Sequence, residues 1–261
     1  MLRFYSVSSG SRANAVLVSS EKTNILIDCG LSGKKLAQGL SLADKTVGDI
    51  DAVLVTHEHS DHIAGVGIAA RSAKAKVYAN GQTWEAMEHA IGKLNASDML
   101  VCDAHKPFTV GDIEVTGFLT PHDAASPMGY TLTDGQTKVA VATDMGHITE
   151  STKQALFGCD AVMLESNHDI QMLQNGRYPI GLKRRILSEY GHLSNVDSAA
   201  FAVELVKRGT THLTLSHLSE ENNLPTLAWR EACTALLAAG VDLDKDVQLS
   251  VARCMCLKQI L

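Results

Sequence analysis

The apolar run Ala52-Val53-Leu54-Val55 leads directly into Thr56-His57-Glu58-His59-Ser60-Asp61-His62, which places three histidines and one aspartate within six residues. A short apolar run of this kind reads as a buried strand. In a locally extended segment residues two apart point the same way, so His57, His59 and Asp61 are expected to converge, with His62 presented from the turn that follows. Imidazole and carboxylate together suit zinc, iron or manganese, and no cysteine lies nearby to mark a structural thiolate site. On an ordinary surface loop, imidazoles this crowded would repel one another whenever protonated. The segment therefore reads as a metal-binding loop at a strand end, and the fold has to bring further ligands to it.

Three other strand-like runs deliver such residues. The run 113–119 ends in Thr120-Pro121-His122, 138–142 in Thr143-Asp144-Met145, and 212–215 in Ser216-His217-Leu218. α/β sheets place their sites at edges of this sort. Further strand patterns cover 2–7, 15–19, 24–28, 52–55, 76–79, 130–133, 161–164 and 247–250. Helical spacing of apolar residues covers 63–72, 83–90, 194–207 and 226–239. Ser194 or Asn195 is placed to cap the third of these helices, and Pro225 and Gly240 frame the fourth. Helices covering sheet, with no linker, repeat or low-complexity tract, predict one compact α/β domain over residues 1–261.

Composition narrows the possible partners. The 261 residues carry 23 Lys+Arg against 29 Asp+Glu, a net charge of −6, so any surface for a polyanion has to be local. Hydrophobic residues make up 45% and charged residues 20%, the balance of an ordinary globular chain, and no apolar run approaches the length of a membrane span. The opening residues alternate as a strand does and lack a secretory apolar core. Six scattered cysteines form no Cys-x-x-Cys pair and are expected to be reduced. A cytoplasmic protein is the expectation.

The His57-x-His59-x-Asp61-His62 motif resembles the signature of the metallo-β-lactamase superfamily. That resemblance implies an αββα four-layer sandwich with one or two divalent metals at the edge of its two sheets. It implies one metal held by His57, His59 and His122, another by Asp61, His62 and His217, and Asp144 bridging them. Asp28 matches the family's early aspartate, which orients the metal loop. Gly33-Lys34-Lys35, Glu165-Ser166-Asn167-His168-Asp169, Gly176-Arg177-Tyr178-Pro179, Lys183-Arg184-Arg185, Gly191-His192-Leu193-Ser194-Asn195 and Ser216-His217-Leu218-Ser219 with Asn222-Asn223-Leu224 narrow the likeness to the YycJ (WalJ) branch. That branch implies cytoplasmic metal-dependent hydrolysis, 5′-to-3′ exonuclease action on DNA and a part in mismatch repair.

A metal pair activates water without a protein nucleophile, and Asp61 or Asp144 is placed to orient that water or take its proton. Substrate has to be read from other residues. Lys183, Arg184 and Arg185 form a positive stretch that either binds phosphate or is a solvated helix face. His192, Ser194 and Asn195 open a helix whose free N–H groups suit an anion. The segment is similar to the Gly-His-small-Ser segment of ribonuclease J-like nucleases, which implies that His192 binds the phosphate or protonates the leaving oxygen.

Asn167 and His168 are weaker candidates for the same pocket. His89, His105, His147 and His212 have no ligand-like context. Trp84 and Trp229 fall in helical patterns and are expected in the core. Only 73 residues separate Asp144 from His217, too few for the extra domain of ribonuclease J-type enzymes, and no long tRNA-gripping arm is evident. Nucleic acid would then be held by the core itself, as a monomer or a homo-oligomer, with a repair partner for long DNA. A small-molecule ester, thioester, lactone or β-lactam hydrolase, and a noncatalytic metal-stabilised scaffold, are the competing readings. Zinc, manganese or iron, and DNA or RNA, stay open.

Overall fold

The structure, a computed structural model, describes residues 1–254 and 256–261. The strands of the first half are β1 Arg3–Ser8, β2 Ala15–Ser19, β3 Asn24–Ile27, β4 Ala52–Leu54, β5 Lys76–Ala79, β6 Met99–Val101 and β7 Phe108–Val110. Those of the second are β8 Ile113–Leu119, β9 Met128–Thr133, β10 Lys138–Ala142, β11 Ala161–Glu165, β12 His212–Ser216, β13 Gln248–Val251 and β14 Lys258–Gln259. The helices are α1 Gly33–Ser41, α2 Ser60–Ile63, α3 Val66–Ala73, α4 Gly81–Ile91, α5 Glu150–Leu156, α6 Ile170–Asn175, α7 Ile180–Ile186, α8 Asn195–Lys207 and α9 Pro225–Ala238.

One sheet has the order β14-β1-β2-β3-β4-β5-β6 and the other β13-β12-β11-β10-β9-β8-β7. Residue parity explains how they stack, because alternate side chains of a strand leave opposite faces. Phe4, Val16, Val18, Ile25, Ile27 and Leu54 meet Val115, Tyr130, Leu132, Val139, Val141 and Met163 between the sheets. Their neighbours Leu17, Leu26 and Val53 pack outward with Leu36, Val66 and Met87 of α1, α3 and α4. Ala140, Val162, Leu164 and Leu213 pack outward with Leu156, Phe201, Leu205 and Leu236 of α5, α8 and α9. The result is the expected αββα sandwich, and its central strands are apolar on both faces because both faces are covered.

The expected helix at 63–72 is instead two helices, α2 and α3, parted at Gly65. A Cβ there would lie 1.9 Å from the Leu31 carbonyl, so the chain breaks to let the two backbones touch. Trp84 is in the core as expected, its Nε1 donating to the Leu100 carbonyl at 2.9 Å. Trp229 is not: it is 46% exposed on α9. Among the described residues, no helix is long and apolar enough to cross a membrane.

β3, β4 and β5 run parallel, as do β10, β11 and β12, and β8 points the same way as β10 because β9 is antiparallel to both. The ends of β3, β4, β8, β10, β11 and β12 therefore gather at one rim. Two bonds tie the sheets there: the Tyr130 hydroxyl donates to the Val55 carbonyl at 2.8 Å, and the Met128 N–H to the Thr56 carbonyl at 3.0 Å. Tyr130→Phe leaves a buried carbonyl unpaired, which should cost about 1–3 kcal/mol of unfolding free energy. Urea unfolding checks it, and an unchanged midpoint would contradict the role.

Candidate metal centre

At the rim, β4 runs out at Leu54 and Val55, and Asp28 receives the loop that follows. Its Oδ1 accepts from the Thr56 N–H and its Oδ2 from the Thr56 hydroxyl, both at 2.8 Å. The same Oδ2 lies 2.8 Å from His62 Nδ1. The Thr56 hydroxyl, having donated to Asp28, accepts from His57 Nδ1 at 3.0 Å. Asp28 thus fixes two imidazoles at once, one directly and one through a hydroxyl.

The chain does not stay extended through the motif. α2 begins at Ser60, so Asp61 and His62 occupy its first turn while His57 and His59 precede it. This sorts the ligands differently from an extended strand. Ligand atoms of His57, His59 and His122 lie within 4.8 Å of one another, and so, as a second group, do those of Asp61, His62 and His217. Gly30 makes the fold of the loop possible: a Cβ there would sit 1.8 Å from the Asp61 carbonyl oxygen. Asn14 holds the same residue from the side, its Nδ2 donating to Asp61 Oδ2 at 3.1 Å.

The second sheet supplies the rest. Asp144 lies between the groups, with Oδ1 3.8 Å from His122 Nε2 and 3.6 Å from His217 Nε2, and Oδ2 3.4 Å from His62 Nε2. Asp28, Asp144 and His217 all take left-handed φ, at 58°, 60° and 53°. Asp is among the residues that tolerate this conformation best, and His shares the tolerance. The sharp turn ends each strand with its functional side chain at the rim.

Glu165 closes β11 and is fully buried. Its Oε1 faces His192 Nδ1 at 2.8 Å and His217 Nδ1 at 3.0 Å, and its Oε2 accepts from the N–H groups of Met145 and Leu193. In the sequence Glu165 stands only as one residue of a family segment, with no role of its own. The available signal was a carboxylate at the end of the apolar run 161–164, where nothing but a paired charge survives burial.

These bonds bear on whether the residues fit a metal. His122 Nδ1 donates to the Gly191 carbonyl at 2.9 Å, so His57, His62, His122 and His217 are all held through Nδ1, and among the described residues only the Nε2 of His62 has a hydrogen-bond partner, the Asn14 amide nitrogen at 3.1 Å. The Nε2 atoms of His57, His122 and His217 and Oδ2 of Asp144 are buried without a hydrogen-bond partner. Buried polar atoms are otherwise paired, and backing Nδ1 with an acceptor is how proteins aim an imidazole at a cation. The donor set fits divalent metal.

The charges agree. Burial disfavours a charge on His217, but Asp144, Asp61 and Glu165 outweigh it and push its pKa up to about 10. His62 is raised against burial by Asp144, Asp28 and Asp61. Burial and the neighbouring His62 hold His57 well below the usual range. Burial raises Glu165, but His192 and His217 overcome it and bring it down to about 2.

An open cavity of about 370 Å³ adjoins the cluster and is lined by Asp61, Asp144, Asn167, Arg185, His192 and His217 among others. His192 is 19% exposed by its side chain. The residues expected to contact substrate differ in their surroundings. Ser194 and Asn195 are 3% and 4% exposed and already engaged. Ser194 accepts from the Asp197 N–H as the cap of α8, and Asn195 bonds Asn223 and Ser166. The basic stretch is split by α7, whose successive residues face different ways. Only Arg185 of the three lines the cavity, and its guanidinium pairs with both oxygens of Asp123. Lys183 donates to the Gln174 carbonyl at 2.8 Å and Arg184 is exposed.

Asn167 lines the cavity and donates to the His217 carbonyl at 2.9 Å. His168 is 1% exposed, held down to about 4 chiefly by burial, and does not line it. Among the described residues His89, His105, His147 and His212 join none of the clusters.

Residues 23–217 match the family model described as beta-lactamase superfamily domain. The chain is 42% identical to a Bacillus anthracis protein named exodeoxyribonuclease YycJ, over 95% of this chain and 94% of that protein. The chain belongs to the metallo-β-lactamase superfamily, in its YycJ/WalJ branch. Identity to exodeoxyribonuclease WalJ of Streptococcus pneumoniae (strain D39) is 38%, over 94% of this chain and 92% of that one. The metallo-β-lactamase fold protein YhfI of Bacillus subtilis superposes with a TM-score of 0.73 at 18% identity, covering 99% of both chains, and shares the fold. Membership in this branch makes the protein a metal-dependent hydrolase.

Two outcomes follow. In Glu165→Gln, an amide nitrogen faces two N–H donors whichever way it turns, so divalent metal affinity should drop about 10–100-fold in a competition titration with a chelator. Unchanged affinity would remove Glu165 from the account. Without metal, His217, raised to about 10, holds a proton at pH 7, so metal uptake must release it and tighten as pH rises. Calorimetry in buffers of different ionisation enthalpy reads that release, and a buffer-independent heat would contradict it.

Proposed function

We propose that the chain is a phosphodiesterase that degrades DNA from its 5′ end in the cytoplasm, using two divalent ions, zinc or manganese. The observation that carries this reading is the convergence of Nε2 atoms from both sheets beside an open cavity, in a chain 38–42% identical to proteins named exodeoxyribonuclease.

His57, His59 and His122 would hold one ion, Asp61, His62 and His217 the other, and Asp144 would serve both. Such a pair supplies Lewis acidity and makes water acidic enough to deprotonate near neutral pH. Asp61 lies on the cavity side, steadied by Asn14, and accepts a hydrogen bond from the attacking water, orienting it for in-line approach to phosphorus. Asp144, buried at the cavity wall, holds its charge between the two groups of ligands. His192 borders the cavity with Nδ1 backed by Glu165, leaving Nε2 to donate a proton to the leaving oxygen as the P–O bond breaks. Glu165 offsets the positive charge of His192 in the protonated form. Arg185 and Asn167 narrow the cavity around the phosphate. Sequence preference should be weak, because phosphate contacts carry no base information.

The test is digestion of linear DNA carrying a 5′ label by metal-depleted protein resupplied with manganese or zinc. The label should be released as a mononucleotide ahead of a 3′ label, and Asp61→Ala/His62→Ala should release none. Asp61→Asn alone should turn over roughly 10²–10⁴-fold more slowly. Intact DNA in the presence of metal-loaded protein would overturn the reading.

A further inference from the structure

Away from the metal centre, β13, the start of α9 and the residues after β13 enclose an open groove of about 580 Å³. Its floor is apolar, with Leu249 and Val251, and Trp229 stands at its side 46% exposed. Arg230, Arg253 and Lys258 line it and no carboxylate does. Among the described residues none of these three cations forms an ion pair, so no carboxylate neutralises the groove at contact distance. In a chain of net charge −6, three uncompensated cations around an exposed indole make a local surface of opposite sign.

Arg253, at the groove, is tied to the metal centre through Ser9. The Ser9 N–H donates to the Arg253 carbonyl at 3.2 Å, and the Ser9 hydroxyl accepts from the His217 N–H at 2.8 Å. Ser11 and Ser219, each two residues along the chain from Ser9 and His217, line the metal-centre cavity. A strand lying in the groove would leave it beside the residues that hold His217.

The geometry points to this groove as the seat of a single-stranded DNA segment adjoining the bond that is cut, with a base stacked on Trp229 and backbone phosphates paired to Arg230, Arg253 and Lys258. Stacking suits any base, and the cations follow the backbone, so the seat is indifferent to sequence. β13 is the edge strand of its sheet and offers backbone donors and acceptors to a peptide, but such pairing leaves the three cations unanswered, and an apolar partner does not use them either; the cations favour a polyanion. This inference rests on the phosphodiesterase reading, and it gives that activity a dependence on strand length through a surface outside the metal centre.

The chain has two tryptophans, and the other, Trp84, is buried, so the exposed indole reports on the groove directly. Metal-depleted protein is titrated with a single-stranded oligodeoxynucleotide while emission is followed. Saturable quenching that weakens as salt rises is expected. Trp229→Phe should lose the signal, and Arg230→Glu/Arg253→Glu should weaken binding by about tenfold or more. With manganese restored, the double variant should hydrolyse a chromogenic phosphodiester too short to reach the groove at the wild-type rate. Its KM for the oligonucleotide should rise with little change in kcat.

Quenching absent, or untouched by charge reversal, in a protein that still degrades the oligonucleotide would overturn the groove and leave the nuclease standing. Quenching with no cleavage would keep the groove and overturn the nuclease. Neither binding nor cleavage would overturn both.

Discussion

Two buried carboxylates, Asp28 on one sheet and Glu165 on the other, grip the histidines from behind, and the arrangement of everything in front of them depends on that grip. An imidazole whose Nδ1 is committed to an acceptor has one nitrogen left to offer and one orientation in which to offer it. Asp28 imposes this on His62 directly and on His57 through Thr56, while Glu165 imposes it on His217 and His192. A buried carboxylate is costly unless its lone pairs are taken. Both are satisfied, by the Thr56 N–H and hydroxyl in one case and by the N–H groups of Met145 and Leu193 in the other. The sandwich brings the two carboxylates to opposite sides of one rim, and the unpaired Nε2 atoms lie between them.

Much of this was legible beforehand because ligand chemistry is dense in the sequence. His57, His59, Asp61 and His62 declare themselves by crowding, and His122, Asp144 and His217 by following apolar runs that had to be strands. The long strands β2, β5, β8 and β10 fall where alternation and apolarity put them. The edge strands β6, β7 and β14 were not anticipated, since two or three half-exposed residues carry no period. Helices α1, α5 and α6 were also not anticipated, and α7 only as the solvated face that Lys183, Arg184 and Arg185 could form. They are short, and α1 and α5 draw their stability from the sheet beneath them more than from their own residues.

What stayed hidden depends on contacts between distant segments. Glu165 looks like any polar residue closing a strand until His192 and His217 arrive from 27 and 52 residues away. Asn14 is one polar residue in a loop until Asp61 comes to rest on it. Ser194 and Asn195 open a helix, but only the fold shows that the Ser194 hydroxyl caps that helix at the Asp197 N–H while Asn195 is bound by the side chains of Ser166 and Asn223. Lys183, Arg184 and Arg185 are a block of charge in one dimension and three separate directions on a helix. Trp229 shows the converse: the apolar spacing of α9 says that one face is buried, and only packing decides that the indole is on the other.

The account stands most directly on the claim that these histidines and aspartates hold a pair of ions. Native mass spectrometry of the metal-depleted chain, titrated with manganese or zinc, counts them. Two ions per chain at saturation is the predicted result, with the second lost when His217 is replaced by alanine. Saturation at one ion in the wild-type chain, or none, would contradict it.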